Sequence, residues 1–181
     1  MAPVPPAGMF VTLEGPEGSG KTTQLALLAE AVRARGHVVT VVREPGGTPV
    51  GERIRRVLLD PDEGPLPVTE ALLFCAARAE LIERVVRPAL AKGDVVLCDR
   101  YADSTVAYQG YGRGLPLDWL REVVRGATGA LTPDLTLLFD LPPETGLARR
   151  RGAGDEWNRL DAAGLSFHRR VRAGFLTLAA A

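Results

Sequence analysis

The chain has 181 residues, with 22 Lys plus Arg balanced by 22 Asp plus Glu. That length suits one domain with a sizeable core, and charge neutrality argues against a duplex-DNA binder, which carries a basic stripe. No apolar run approaches a membrane span, and the opening MAPVPPAG lacks the charged start and apolar core of a secretory signal, so residues 1–8 read as a flexible leader.

Phe10 to Glu14 (FVTLE) is short, apolar and β-branched, which fits a buried strand. Lys21 to Arg35 places Leu25, Leu28, Ala29 and Val32 at helical spacing, and Gly36 is a natural stop. His37 to Val42 reads as a second strand, followed by the Pro/Gly loop REPGGTPVG and a helix from Gly51 to Leu59. Thr69 is a candidate cap for a long helix reaching Ala91, with Pro88 expected to bend its last turns. Asp94 to Asp99 is a third strand. Ala102 to Tyr108 and Pro116 to Thr128 read as helices separated by the glycine-rich QGYGRG. Asp134 to Leu141 is a fourth strand, Pro143 opens another helix, RRRGAGDEWNRLD reads as a mobile loop, and Leu165 to Leu178 is a last helix.

Strands alternating with helices predict a parallel sheet covered on both faces, in a single domain. Ligands of such sheets bind beyond the carboxyl ends of the strands. Gly15 to Thr22, Arg43 to Thr48 and Asp99 to Tyr101 all follow strands, so they converge on one edge. Cys75 and Cys98, the two cysteines, lie in apolar runs without metal-ligand spacing, which suits buried thiols in a reducing cytoplasm.

Gly15-Pro16-Glu17-Gly18-Ser19-Gly20-Lys21-Thr22 fits G-x-x-x-x-G-K-[ST] between a strand and a helix. Such a loop turns backbone amides and a helix N-terminus toward nucleotide phosphates. Lys21 can reach the β- and γ-phosphates of ATP, and the Thr22 hydroxyl can ligate Mg²⁺. Only Lys21 and Lys92 are lysines in an otherwise arginine-rich chain, and a compact ammonium differs physically from a planar guanidinium. The loop alone does not separate a motor, a switch and a kinase. No N-K-x-D for guanine recognition is present, and the chain is short for a motor. Phe74 and Arg78, four apart, share one helix face, where one can stack on a base and the other can bond its edge or a nearby phosphate.

With GPEGSGKTT, REPGGT, LLFCAARAE, DRYADSTVAYQGYGRG, PDLTLLFDLPPE and NRLD in this order, the chain resembles the thymidylate kinases from Phe10 to about Ala179. The DRY run followed by S-T-x-A-Y-Q-G is the most specific of these motifs. The resemblance implies a P-loop NTPase three-layer α/β fold over residues 9–181, with a lid at about 149–161 that Gly152 and Gly154 would let close. It implies a fifth strand and a terminal helix after the four strands visible here. It also implies Mg²⁺- and ATP-dependent phosphorylation of dTMP to dTDP, in a cytoplasmic homodimer paired through the long helix near 69–91, where Ala76, Ala77 and Ala79 would permit close approach. Neither nucleic acid nor membrane is an expected partner.

By the same resemblance Glu17 would face the acceptor's deoxyribose and accept from its 3′-hydroxyl. Arg100 would hold the 5′-phosphate, with Arg43, Pro45 or Arg55 nearby, and Asp99 would orient Mg²⁺ or its waters. Phe74 would stack on thymine, Arg78, Thr105 and Gln109 would read its polar edge, and Ser104 and Tyr108 would line the pocket. Position 18 is Gly, whereas eukaryotic members carry an arginine there. This matches the bacterial type, in which lid arginines, here Arg149, Arg150 and Arg151, act on the transferred phosphoryl. Arg159 and Asp161 would help close the lid, and His37 and His168 look incidental. Competing readings are another small nucleoside or nucleotide kinase, a non-catalytic nucleotide binder and a nucleic-acid-acting ATPase.

Overall fold

A computed structural model of the protein describes residues 8–152 and 157–181. The expected leader, except Gly8, and Gly154 of the expected lid lie outside the described residues. The sheet is parallel, with strand order β2-β3-β1-β4: β1 (Met9–Glu14) sits between β3 (Val95–Asp99) and β4 (Leu135–Leu138), and β2 (Val39–Arg43) flanks β3. Register sets Leu13 and Arg43 both level with Asp99, so three strands finish at one edge.

Alternation along the strands divides the core. Phe10, Val42, Val96 and Cys98 pack on one face with Leu81, Ile82 and Val86. Val11, Leu13 and Leu97 pack on the other with Leu25 and Ala29 of helix α1 (Lys21–Arg33). Near-continuous apolar strands are what a sheet covered on both sides requires. A third cluster joins Tyr108 to Phe167, Val171 and Phe175 of the last helix. Both cysteines are buried free thiols. No helix among the described residues is long and apolar enough to cross a membrane.

The expected elements are present, with revised limits. Helix α1 closes at Arg33, whose carbonyl accepts from the Gly36 amide. Helix α2 (Pro49–Leu59) starts before Gly51 because the Thr48 hydroxyl accepts from the Gly51 amide at 2.9 Å and Pro49 suits the first turn. Helix α3 (Pro67–Leu81) also begins at a proline, so Thr69 lies within its first turn and is not its cap. The chain then widens into π turns over Ile82–Val86 and continues as α4 (Arg87–Ala91). The Arg87 amide donates five residues back to Ile82, a spacing that accommodates Pro88, which has no N–H to give.

Helix α5 (Ala102–Thr105) does not stop at a glycine-rich break. It runs on as π turns over Val106–Gly112, reaching helix α6 (Leu117–Thr128) only after Gly114 and Leu115. The glycines serve packing here: a Cβ on Gly112 would come within 2.6 Å of the Phe167 ring. Strand β4 is shorter than expected, although ladder-like bonds continue at both ends, from Asp134 to Phe10 and from Phe139 to Glu14. Arg149, Arg150 and Arg151 belong to no loop. They form the last turn of helix α7 (Pro143–Gly152), where cations favour the helix's negative end. Helix α8 (Leu165–Ala179) closes the chain's described structure.

Candidate active site

The Gly15–Thr22 loop links β1 to α1 as its sequence requires. Gly18 has φ +65°, and a Cβ there would lie 2.1 Å from the carbonyl oxygen of Gly146 in α7. A Cβ on Gly146 would in turn lie 2.1 Å from the Glu17 carbonyl oxygen. A side chain at position 18 therefore has no room, and the helix carrying Arg149 and Arg150 is seated directly on the loop. Lys21 is buried, its ammonium donating to the carbonyls of Gly15 (3.0 Å) and Pro16 (2.8 Å) and to Ser19 Oγ (3.2 Å). Burial, helped by nearby Arg100, pulls its pKa down to about 7. Thr22 Oγ1 donates to Asp99 Oδ2 at 2.9 Å. Two hard oxygens thus meet where a magnesium ion would be held by one or two protein ligands, phosphates and water, so these residues fit that ion.

Arg100 takes the left-handed conformation, φ 71°, unusual for a side chain of its size. Its amide donates to Leu13 O, and Glu14 clamps the residues beyond it. The buried Glu14 carboxylate accepts from the Tyr101 amide (2.8 Å), the Ser104 amide (3.3 Å) and the Ser104 hydroxyl (2.5 Å). The Arg100 guanidinium so aimed donates to Gly15 O at 2.8 Å and Ser104 Oγ at 3.3 Å, and lies over the Tyr108 ring.

Glu17 is the carboxylate within the phosphate loop. It accepts from the Tyr108 hydroxyl, lies 3.4 Å from Arg100 Nη2, and has His168 Nδ1 3.4 Å from Oε2. Burial pushes its pKa up, but His168, Arg100 and Tyr108 outweigh this and hold it at about 2. A negative charge beside a phosphate loop is thus offset locally rather than left to repel the ligand.

These groups open on one cleft of about 610 Å³. Its lining joins Glu17 to Thr22 and Asp99 with Arg43, Pro45, Arg55, Phe74, Arg100, Ser104, Thr105, Tyr108 and Gln109, and with Arg149 and Arg150. Arg43 is held by Glu52 at 3.0 Å and Arg55 donates to Pro45 O at 2.9 Å. Burial and neighbouring Arg43 lower the Arg55 pKa, so this is a region where positive charge is concentrated. Arg150 pairs with Asp161 at 3.2 Å.

Four expected residues lie elsewhere. Gly15 and Pro16 offer their carbonyls to Lys21 and Arg100 from behind the lining. Arg151 is exposed and covers the Trp157 ring. Arg78 sits under the cleft, fully buried, bonded to Glu44 Oε2 (2.7 Å), Tyr101 O (2.9 Å) and Thr105 Oγ1 (3.0 Å), with Nη1 unpartnered among the described residues.

Sequence reasoning passed over Glu14, Glu44, Glu70 and His168, all buried. Glu14 and Glu44 carried a faint signal, as acidic residues ending or following apolar strands. Nothing local marks Glu70 or His168, because their partners are distant in the chain.

Residues 13–181 match the sequence model of the family described as Thymidylate kinase. The chain is 60% identical over 174 residues to the thymidylate kinase of Deinococcus radiodurans, covering 95% of this chain and 83% of that protein. It is 61% identical over 166 residues to that of Thermomicrobium roseum, covering 92% and 79%. The solved thymidylate kinase from Ehrlichia chaffeensis matches with a TM-score of 0.79 at 34% identity, covering 97% of this chain and 88% of that one. With its parallel sheet and the loop between β1 and α1, the architecture is that of a P-loop NTPase. The phosphate loop, the Arg100 turn and these similarities converge: the chain belongs to the thymidylate kinase family.

Proposed function

We propose that this protein transfers the γ-phosphoryl group of ATP to dTMP, giving ADP and dTDP. One observation carries the reading: Arg100 is bonded to the carbonyl of Gly15, the first residue of the phosphate loop. An acceptor phosphate held by Arg100 therefore stands beside a donor phosphate held by Lys21. Phosphoryl transfer needs little more than this alignment and charge neutralisation. An oxygen of the acceptor phosphate attacks the γ-phosphorus while its bond to the β-phosphate oxygen breaks, and the electron pair leaves with ADP. No covalent enzyme intermediate is required.

Lys21 and the loop amides hold the donor phosphates, and Arg149 and Arg150 approach from α7 to offset charge moving to the leaving oxygen. Mg²⁺, held through Thr22 and Asp99, supplies further neutralisation when bound. Arg43 and Arg55 extend the acceptor-phosphate site. Phe74 stacks on thymine, and Thr105 and Gln109 read its edge, with Arg78 holding Thr105 from beneath. Glu17 accepts from the 3′-hydroxyl, with Tyr108 and Ser104 closing the sugar pocket. Residues 9–181 act as one domain, the segment 149–161 serving as a lid over the donor. Val68, Leu72 and Ala76 form an exposed stripe at helical spacing on α3, which supports pairing of two copies through that helix. Ala77 is buried and takes no part in that face. The buried thiols suit the cytoplasm.

Phosphorus NMR of a mixture of protein, ATP, Mg²⁺ and dTMP tests the reading. Resonances of dTDP and ADP should grow together and stop when the metal is chelated. ADP appearing with inorganic phosphate alone would replace a kinase with an ATPase.

A further inference from the structure

Glu70 lies in the first turn of α3, wholly buried, and draws together donors from two segments far along the chain, the π turns ending at Arg113 and the turn holding Arg159. Gln109 Nε2 donates to it at 2.8 Å, Arg113 through Nε and Nη2 at 3.2 Å each, and Arg159 Nη2 at 2.6 Å. Arg159 also donates to Leu58 O at the end of α2. Burial pushes the Glu70 pKa up, but bonds from Gln109, Arg113 and Arg159 prevail and lower it. Glu70 is therefore a carboxylate at neutral pH, able only to accept.

That fixes a neighbour. A glutamine amide has a donating end and an accepting end, and only Nε2 can face a carboxylate. Gln109 is buried and also lines the cleft, near Phe74 and Thr105. With an Nε2 proton held by Glu70, Oε1 is the atom of this amide left to accept from a ligand. We propose that Glu70 is a specificity-determining positioning residue: by locking the Gln109 amide with its oxygen toward the cleft, it selects a pyrimidine that carries N3–H over one whose N3 is an acceptor.

The proposal rests on the dTMP reading of the cleft. Thymine presents an N3–H donor beside a 4-carbonyl acceptor. Cytosine presents the reverse at both atoms. Oxygen-first Gln109 meets the N3–H of thymine and opposes the lone pair of cytosine. The Thr105 hydroxyl, which lines the cleft and whose oxygen already accepts from Arg78, supplies a donor suited to a carbonyl but not to an amino group. A site built on hydrogen bonds rejects the wrong pattern because its own buried groups are then left unpaired.

The test compares kcat/KM for dTMP and dCMP, with ATP and Mg²⁺, in the wild type, Glu70→Gln and Gln109→Leu. A glutamine at 70 can donate as well as accept, so it frees the Gln109 amide to turn over. Gln109→Leu removes the oxygen altogether. Both should lower the dTMP-to-dCMP ratio, by about 10- to 100-fold. A purely structural role would slow both substrates and leave the ratio unchanged in both variants, which would overturn the proposal.

Should Glu70→Gln fail to fold, side-chain amide NMR of the wild type decides. The Gln109 amide proton held by Glu70 should keep its chemical shift when dTMP is added. A large shift of that proton would place Nε2 on the base and overturn the proposal. A wild type inactive toward dTMP would defeat the functional reading itself. Turnover of dTMP with unaltered selectivity in the variants defeats only the role of Glu70.

Discussion

At Lys21 burial and charge compete directly. The ammonium is enclosed by loop carbonyls, and its pKa is drawn to about 7 from an ordinary 10.5. Anionic phosphates favour its charged form, so ATP binding should take up a proton when the free protein has partly lost it. Affinity for ATP should then fall as pH rises above about 7. Calorimetry at pH 8 in two buffers of different ionisation heat measures this uptake, and none at all would contradict the placement. Lys21→Ala should abolish turnover and leave dTMP binding nearly intact. Arg100→Ala should weaken dTMP binding far more than thymidine binding, since only dTMP has the phosphate. Equal losses would remove Arg100 from that role. Phe74→Ala should cost dTMP binding about 1–3 kcal/mol, as lost stacking does, measured by titration calorimetry. The residues behind these predictions were legible because their motifs are contiguous. Glu17 was legible too, but not its neighbour His168, which lies in α8 far along the chain.

Among the elements, periodicity identified each strand and the principal helices, while boundaries moved wherever tertiary contacts overrode local signals. Prolines 49 and 67 opened helices earlier than the expected starts. Glycines 110 and 112, local breakers by composition, stayed helical because α6 and α8 press against them. The Arg78–Glu44 pair was invisible for the same reason: it joins α3 to the turn after β2 across 34 positions. Both side chains are almost fully buried. Removing one should strand the other's charge, so Arg78→Met should destabilise the fold by about 3–5 kcal/mol in urea unfolding. The double change Glu44→Leu with Arg78→Met should recover part of that loss. Strict additivity of the two single effects would show that the pair is not coupled.

For the whole molecule, alternating strands and helices foretold a parallel sheet with its motifs at one edge, and the register of Leu13, Asp99 and Arg43 realises that convergence. Strand order was not legible, because nothing within a strand names its neighbour. The exposed face of α3 bears on assembly: Leu72→Arg should shift sedimentation from two copies to one, and an unchanged sedimentation profile would move the interface elsewhere. The central claim concerns one cleft that aligns two phosphates. Its most direct test is ADP release from ATP and Mg²⁺ with dTMP, dUMP, thymidine, dGMP or no acceptor. Release should depend strongly on dTMP and fall to background without an acceptor. Release that is the same with and without dTMP would contradict it.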